Sequence, residues 1–260
     1  MATVLDKIVA KKWQEIDEAK QQVPAEQLRD QLASSPPVRD FFAAIESDSH
    51  VSLIAEVKKA SPSKGLIRAD FDPVQIAQTY QQFGATCISV LTDESFFQGH
   101  LDYLRAVRQA VDIPVLRKDF ILDSYQLLEA RTAGADAVLL IAECLDDCNL
   151  RKLHNEAIEL GMTPLVEFYE PQNCVRVLEA GATLIGINNR DLRTFETDLQ
   201  HTVRQRQHIP DDCLVVGESG IHSNDDVRML AAANVNAVLV GEHLMSQPNI
   251  GQAVAALLGR

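Results

Sequence analysis

A chain of 260 residues with 24 Lys+Arg against 37 Asp+Glu carries a formal charge of −13, which excludes a nucleic-acid-binding domain as first reading, since a polyanion partner needs a basic face to displace counterions. Hydrophobic residues make up 46%, with 12 Gly and 10 Pro, a globular composition neither disordered nor fibrous. Five cysteines (Cys87, Cys144, Cys148, Cys174, Cys213) form no C-x-x-C pair, and the longest wholly apolar run is only Ala137 to Ala142, so reduced thiols in a cytoplasmic protein without a membrane span or secretion signal are expected.

In chain order, Leu5, Ile8, Val9, Trp13 and Ile16 recur at helical spacing and predict an N-terminal helix. A polar stretch ending in Ser34-Ser35-Pro36-Pro37 follows, then a second short helix over 38–46. Residues 1–50 are too few to fold alone, so this extension is expected to dock its apolar stripe on the domain spanning 51–260.

From Val51 onward, apolar runs rich in Val, Ile and Leu alternate with longer polar segments of helical period. Eight runs begin near Val51, Thr86, Pro114, Asp136, Thr163, Thr183, Cys213 and Asn236. Strand-helix alternation implies a parallel sheet covered by helices. Eight such units fit a closed (β/α)8 TIM barrel of class α/β. An open doubly wound sheet is the alternative, but it would more often show a glycine-rich turn after its first strand, and no G-x-G-x-x-G occurs. Asp72-Pro73 marks a helix start, and Gly84, Gly134, Gly161 and Gly181 mark helix ends.

Charged residues interrupt the pattern at the carboxyl ends of the runs. Glu56 and Lys58 fall on one side of the first strand by alternation. Lys118 ends the third, Glu167 the fifth, Asn188 and Arg190 the sixth, and Glu218 the seventh. Unpaired buried charge is costly, so ions converging at a barrel mouth must compensate one another or serve binding and chemistry. Arg117, Asp119, Asp191 and Glu94 read as solvated loop residues. Gly217, Gly220 and Gly241, after the seventh and eighth runs, match the recurrent barrel phosphate site. Trp13 reads as a packing residue, whereas Phe96-Phe97 could pack or stack on an aromatic ligand. The histidines lack paired ligand spacing, so no metal site is expected. Cys144 and Cys148 could meet on one helical face as a structural pair of thiols.

With these residues in view, the chain resembles the indole-3-glycerol phosphate synthases over nearly its whole length. The motifs are Ile54-Ala55-Glu56-Val57-Lys58-Lys59-Ala60-Ser61-Pro62-Ser63, Pro114-Val115-Leu116-Arg117-Lys118-Asp119-Phe120, Leu165-Val166-Glu167, Gly186-Ile187-Asn188-Asn189-Arg190-Asp191-Leu192, Gly217-Glu218-Ser219-Gly220-Ile221 and Leu239-Val240-Gly241-Glu242. The resemblance implies decarboxylating ring closure and dehydration of 1-(2-carboxyphenylamino)-1-deoxyribulose 5-phosphate to indole-3-glycerol phosphate in tryptophan biosynthesis. It implies Lys118 as general acid, Glu167 as its acid/base partner with Lys58 and Glu56 beside it, Asn188 orienting the substrate, and Glu218 shaping the charged cluster. Ser61, Phe120 and Arg190 would contact substrate, and Ser219, Gly220, Gly241 and Glu242 would line the phosphate pocket. Which of Lys58, Lys118 and Glu167 serves dehydration stays open.

No cofactor, metal, nucleic acid or membrane partner is expected, only the small phosphorylated substrate, and a monofunctional monomer. The segment 61–70, with Lys64 and Arg68, reads as a closing loop that adds positive charge. Two other functions fit the residues. One is a different phosphosugar barrel enzyme, such as an isomerase or a Schiff-base aldolase using Lys118; the other is a non-catalytic phosphate-binding barrel.

Overall fold

Eight buried strands follow the eight apolar runs, each starting within one residue of the position read from sequence: β1 (Ser52–Val57), β2 (Cys87–Leu91), β3 (Val115–Lys118), β4 (Ala137–Ile141), β5 (Thr163–Phe168), β6 (Leu184–Asn188), β7 (Leu214–Glu218) and β8 (Ala237–Val240). All pairings are parallel, and β1 bonds to both β2 and β8, closing the ring. The fold is a (β/α)8 TIM barrel, and the open-sheet alternative falls with that closure. The computed structural model describes residues 3–46, 50–191 and 193–260. Leu192, at the end of one motif, and 47–49, just before the expected domain boundary, lie outside them.

Among the described residues, three α-helices precede the barrel: α1 (Val4–Gln22), α2 (Ala25–Gln31) and α3 (Phe41–Ile45). A capping box starts α1: Asp6 N donates to Thr3 Oγ1 at 3.1 Å and Thr3 N to Asp6 Oδ2 at 2.7 Å. The stripe it buries is Ile8, Lys12 and Ile16, whereas Trp13 is 44% exposed. The packing expected of Trp13 is therefore not found, and a lysine lies in the buried row. The stretch read only as polar contains α2, whose start carries no side-chain cap and so lacked the usual signal. Phe41 and Ile45 of α3 are fully buried in the same apolar cluster as Ile54, Cys87 and Ala237. They close one end of the barrel, each side chain contributing about 1.5–3 kcal/mol of burial.

The ten remaining helices cover the strands: α4 (Pro73–Gln82), α5 (Glu94–Phe97), α6 (Leu101–Ala110), α7 (Ser124–Thr132), α8 (Asp147–Glu159), α9 (Asn173–Glu179), α10 (Gln200–Arg206), α11 (Asn224–Ala232), α12 (Glu242–Met245) and α13 (Ile250–Leu257). Asp72 caps α4 through bonds from Val74 N and Gln75 N, both 3.0 Å, ahead of Pro73. The four helix-ending glycines all take positive φ, as read from sequence.

Alternation along the strands layers the interior. Ile54, Leu116, Leu165 and Val216, on β1, β3, β5 and β7, lie in the inner apolar cluster. Two residues further on, the same strands place Glu56, Lys118, Glu167 and Glu218. Alternate strands build one layer of a barrel core, so the uppermost such layer is ionic where those beneath are aliphatic.

Several expectations need correction. Arg117 and Asp119 are buried, not solvated. Being out of phase with Lys118, Arg117 turns to α7, donating to Gln126 O at 2.8 Å, while its guanidinium meets Asp119 at 3.1 Å. Asp191 is largely covered and pairs with Arg193 at 2.9 Å, whereas Glu94 is indeed exposed. Gly217 lies within β7 against Leu230 and Thr202, outside the phosphate turn. Cys144 ends a 3-10 turn and Cys148 belongs to α8, so they share no helical face.

Candidate active site

All thirteen residues selected from sequence border one cavity of about 160 Å³ at the carboxyl ends of the strands. Its floor is the ionic layer. Lys118 on β3 reaches Glu218 on β7, four strands away in the ring of eight, with Nζ to Oε2 at 2.6 Å, and Glu167 on β5 at 2.9 Å. Asn188 Nδ2 donates to Glu167 Oε1 at 3.0 Å, and its own Oδ1 accepts from Arg190 N at 3.0 Å. Lys58 pairs with Glu56 at 2.5 Å.

Glycines make room for this layer. A Cβ on Gly186 would overlap Glu218 Oε1, and one on Gly241 would overlap Glu56 Oε2. Gly241 is thus required by a carboxylate, a tighter demand than the phosphate role read from sequence. Its φ of −124° needs no glycine, so the constraint is steric.

Burial opposes charge on Lys118, but Glu167, Glu218 and Glu56 outweigh it and hold the ammonium above the ordinary lysine range. The balance between burial and carboxylates thus favours the carboxylates. Burial, then the Glu167 charge, pushes Glu218 up to about 8 against the attraction of Lys118. For Glu167, burial is outweighed by Lys118 and by hydrogen bonds, leaving it below the usual carboxylate range. Glu218 Oε1 is buried with no partner among the described groups. With Glu218 raised and Glu167 lowered, Glu218 is the carboxyl of the layer that holds a proton more readily.

One end of the cavity is polar. Ser219 and Gly220 both take left-handed φ, 67° and 75°; for Ser219 that is strain of a kind concentrated at functional sites. Arg190 Nη2 meets Glu242 Oε2 at 3.3 Å, and Lys64 Nζ meets Glu242 Oε1 at 3.5 Å. The Glu242 carboxylate therefore occupies cations suited to an anionic ligand. Arg68, expected to add charge from the closing loop, instead donates to Met245 O at 2.7 Å and Gln247 O at 3.1 Å. Ser61 and Ser63 stand beside this end, their hydroxyls 3.3 Å apart.

The other end is apolar: Leu5 and Ile8 of α1, Phe97, Phe120, Leu139 and Ile141. Phe97 and Phe120 have ring centroids 6.1 Å apart. Of the Phe96-Phe97 pair, Phe97 borders the cavity. Sequence reasoning missed Leu5, Ile8, Leu139 and Ile141 because they read as core. It also missed His222 and His243, which meet edge-on at 5.5 Å beside the glycine turns; their adjacency to Gly220 and Glu242 was a usable signal. Among the described residues, no group of three or more His, Cys, Asp or Glu is placed to hold a metal ion. Among the described residues, no helix is long and apolar enough to cross a membrane.

A family model described as indole-3-glycerol phosphate synthase matches residues 5–257. The chain is 59% identical over 256 residues to the indole-3-glycerol phosphate synthase of Rhodopirellula baltica, covering 98% of this chain and 99% of that protein. It is 47% identical over 262 residues to the protein of that name from Polaromonas naphthalenivorans, covering all of both. Among solved structures, 3-hexulose-6-phosphate synthase from Salmonella typhimurium aligns with a TM-score of 0.66 at 14% identity, over 80% of this chain and 97% of that one. That likeness is of fold alone.

Proposed function

The chain belongs to the indole-3-glycerol phosphate synthase family, and from that premise we propose how the cavity performs the family's reaction. The enzyme is a decarboxylating lyase of tryptophan biosynthesis. It converts 1-(2-carboxyphenylamino)-1-deoxyribulose 5-phosphate to indole-3-glycerol phosphate, carbon dioxide and water. The arylamine ring lies at the apolar end, against Phe97 and Phe120, and the phosphate at the polar end. There the Ser219-Gly220 turn, the start of α12 and Arg190 receive it, with the Glu242 side chain swinging away because two anions repel. Ser61 contacts a substrate hydroxyl.

Ring closure forms a bond between the carboxyl-bearing ring carbon and the ketone carbon, driven by the nitrogen lone pair. Negative charge develops on the ketone oxygen, and Lys118 donates a proton to it. Glu218, hydrogen-bonded to Lys118, carries the proton that recharges the amine, while Glu167 fixes the ammonium in direction and Asn188 fixes Glu167. The ring-carboxylate bond then breaks. Carbon dioxide leaves, and its electron pair neutralises the iminium and restores the benzene ring. Dehydration needs an acid for the departing hydroxyl and a base for a proton on the carbon beside nitrogen. Glu167 serves as acid/base partner, with the Lys58–Glu56 pair as the second acid and base.

The observation that carries this reading is Lys118 Nζ held between Glu167 and Glu218 in the cavity, because a proton donor must stand where the oxyanion forms. The test is to mix purified protein with the arylamino-ketose phosphate and follow indole fluorescence and carbon dioxide together. One-to-one appearance of both is expected. A Schiff-base aldolase would instead be trapped by borohydride as a covalent adduct on Lys118, and that result would displace the reading.

A further inference from the structure

The buried row of α1 contains one charge. Lys12, 5% exposed, lies between Ile8 and Ile16, and its ammonium meets Glu15 at 2.7 Å, Asp93 at 2.9 Å and Asp119 at 2.9 Å. A buried ammonium is costly unless its partners are well placed, and both barrel partners are engaged elsewhere. Asp119 directly follows Lys118; its Oδ1 accepts from Phe120 N at 2.8 Å and its Oδ2 from Thr92 Oγ1 at 2.6 Å. Asp93 caps α5, accepting from Phe96 N at 2.8 Å, and so orients the helix that carries Phe97. Phe97 and Phe120 form the apolar end of the cavity, together with Leu5 and Ile8 from α1 itself. One ammonium thus joins three of the four segments that supply this wall, the fourth being β4 with Leu139 and Ile141.

We propose that Lys12 is a positioning residue that assembles the wall receiving the substrate's aromatic ring, setting affinity for that half of the substrate without taking part in proton transfer. The inference rests on the placement of the arylamine at the apolar end. A second ion pair also ties α1 to the barrel, Lys20 to Asp123 at 2.8 Å, and it touches neither Asp93 nor Asp119. That pair separates wall assembly from simple docking of the helix.

The experiment compares Lys12→Met, Lys12→Arg, Asp93→Asn and Lys20→Met with the wild type, each verified as folded by circular dichroism. Steady-state kinetics are combined with calorimetric binding of two probes: the substrate with its ketone reduced to an alcohol, and inorganic phosphate. In Lys12→Met, KM and the Kd of the reduced substrate should rise about tenfold, the scale of a misplaced binding wall, with kcat within about threefold, the signature of lost uniform binding. Phosphate binding should not change, Lys12→Arg should recover most of the loss, and Lys20→Met should behave as wild type. Should Lys12→Met fail to fold, Asp93→Asn, which keeps the helix cap but not the charge, carries the test in the same direction. The proposal is overturned by unchanged KM in these variants, by an equal effect in Lys20→Met, or by equal weakening of phosphate. A wild type that binds both probes yet makes no indole would refute the reaction, and leave the binding comparison intact.

Discussion

Lys118 spans the full width of the barrel, and two carboxylates share its ammonium. Their surroundings raise Glu218 and lower Glu167, so of the two carboxyls Glu218 is the one that takes up a proton first. The consequence for stability has a definite sign. The folded value of about 8 for Glu218 exceeds that of an unfolded glutamate, about 4.3. Its contribution is therefore complete below the unfolded value and lost as pH rises through that interval. Melting curves should show the wild type losing stability between about pH 5 and 8 more steeply than Glu218→Gln. Equal slopes would place the proton elsewhere. Lys118, Glu167 and Glu218 were legible because each charge ends an apolar run. The direction of the Glu242 side chain was not. A carboxylate beside a glycine turn reads as ligand-facing, and only the positions of Arg190 and Lys64 reveal that it pairs with protein cations instead.

At the level of elements, strand ends and glycines are coupled. Gly241 directly precedes α12 and must lack a side chain because Glu56 of β1 occupies that space. Gly241→Ala should displace the Glu56 carboxylate from Lys58. It should also cost about 1–3 kcal/mol, the range for overpacking, and lower kcat/KM by up to about 10²-fold; thermal melts and initial rates read both. Wild-type rates in that variant would mean that the Glu56–Lys58 pair is dispensable. The strands and most helix boundaries could be read from turn chemistry and period. The buried face of α1 could not. Helical spacing favours Trp13 over Lys12, and Lys12 is buried only because Asp93 and Asp119, remote in sequence, meet it there. Arg117 and Asp119 eluded the reading for the same reason, each being satisfied by partners that only the fold brings close.

For the whole molecule, closure of eight strands turns residues spread over much of the chain into one layer, and no local pattern encodes that meeting. In the cavity Lys58, Lys118 and Arg190 face five carboxyls, Glu56, Asp119, Glu167, Glu218 and Glu242, within a chain of charge −13. Long-range fields therefore oppose an anionic substrate, and local contacts must hold it. Substrate association measured by stopped flow should quicken, by no more than a few-fold, as salt screens that repulsion from about 0.05 to 0.5 M. Slower association would show that the cavity steers its ligand. Lys118 as proton donor is the central step of the reaction, and a single-turnover experiment on Lys118→Met with saturating substrate tests it most directly. The predicted result is substrate bound with near-normal affinity while indole forms at least about 10²-fold more slowly, the scale of a lost general acid; indole formation at close to the wild-type rate would contradict it.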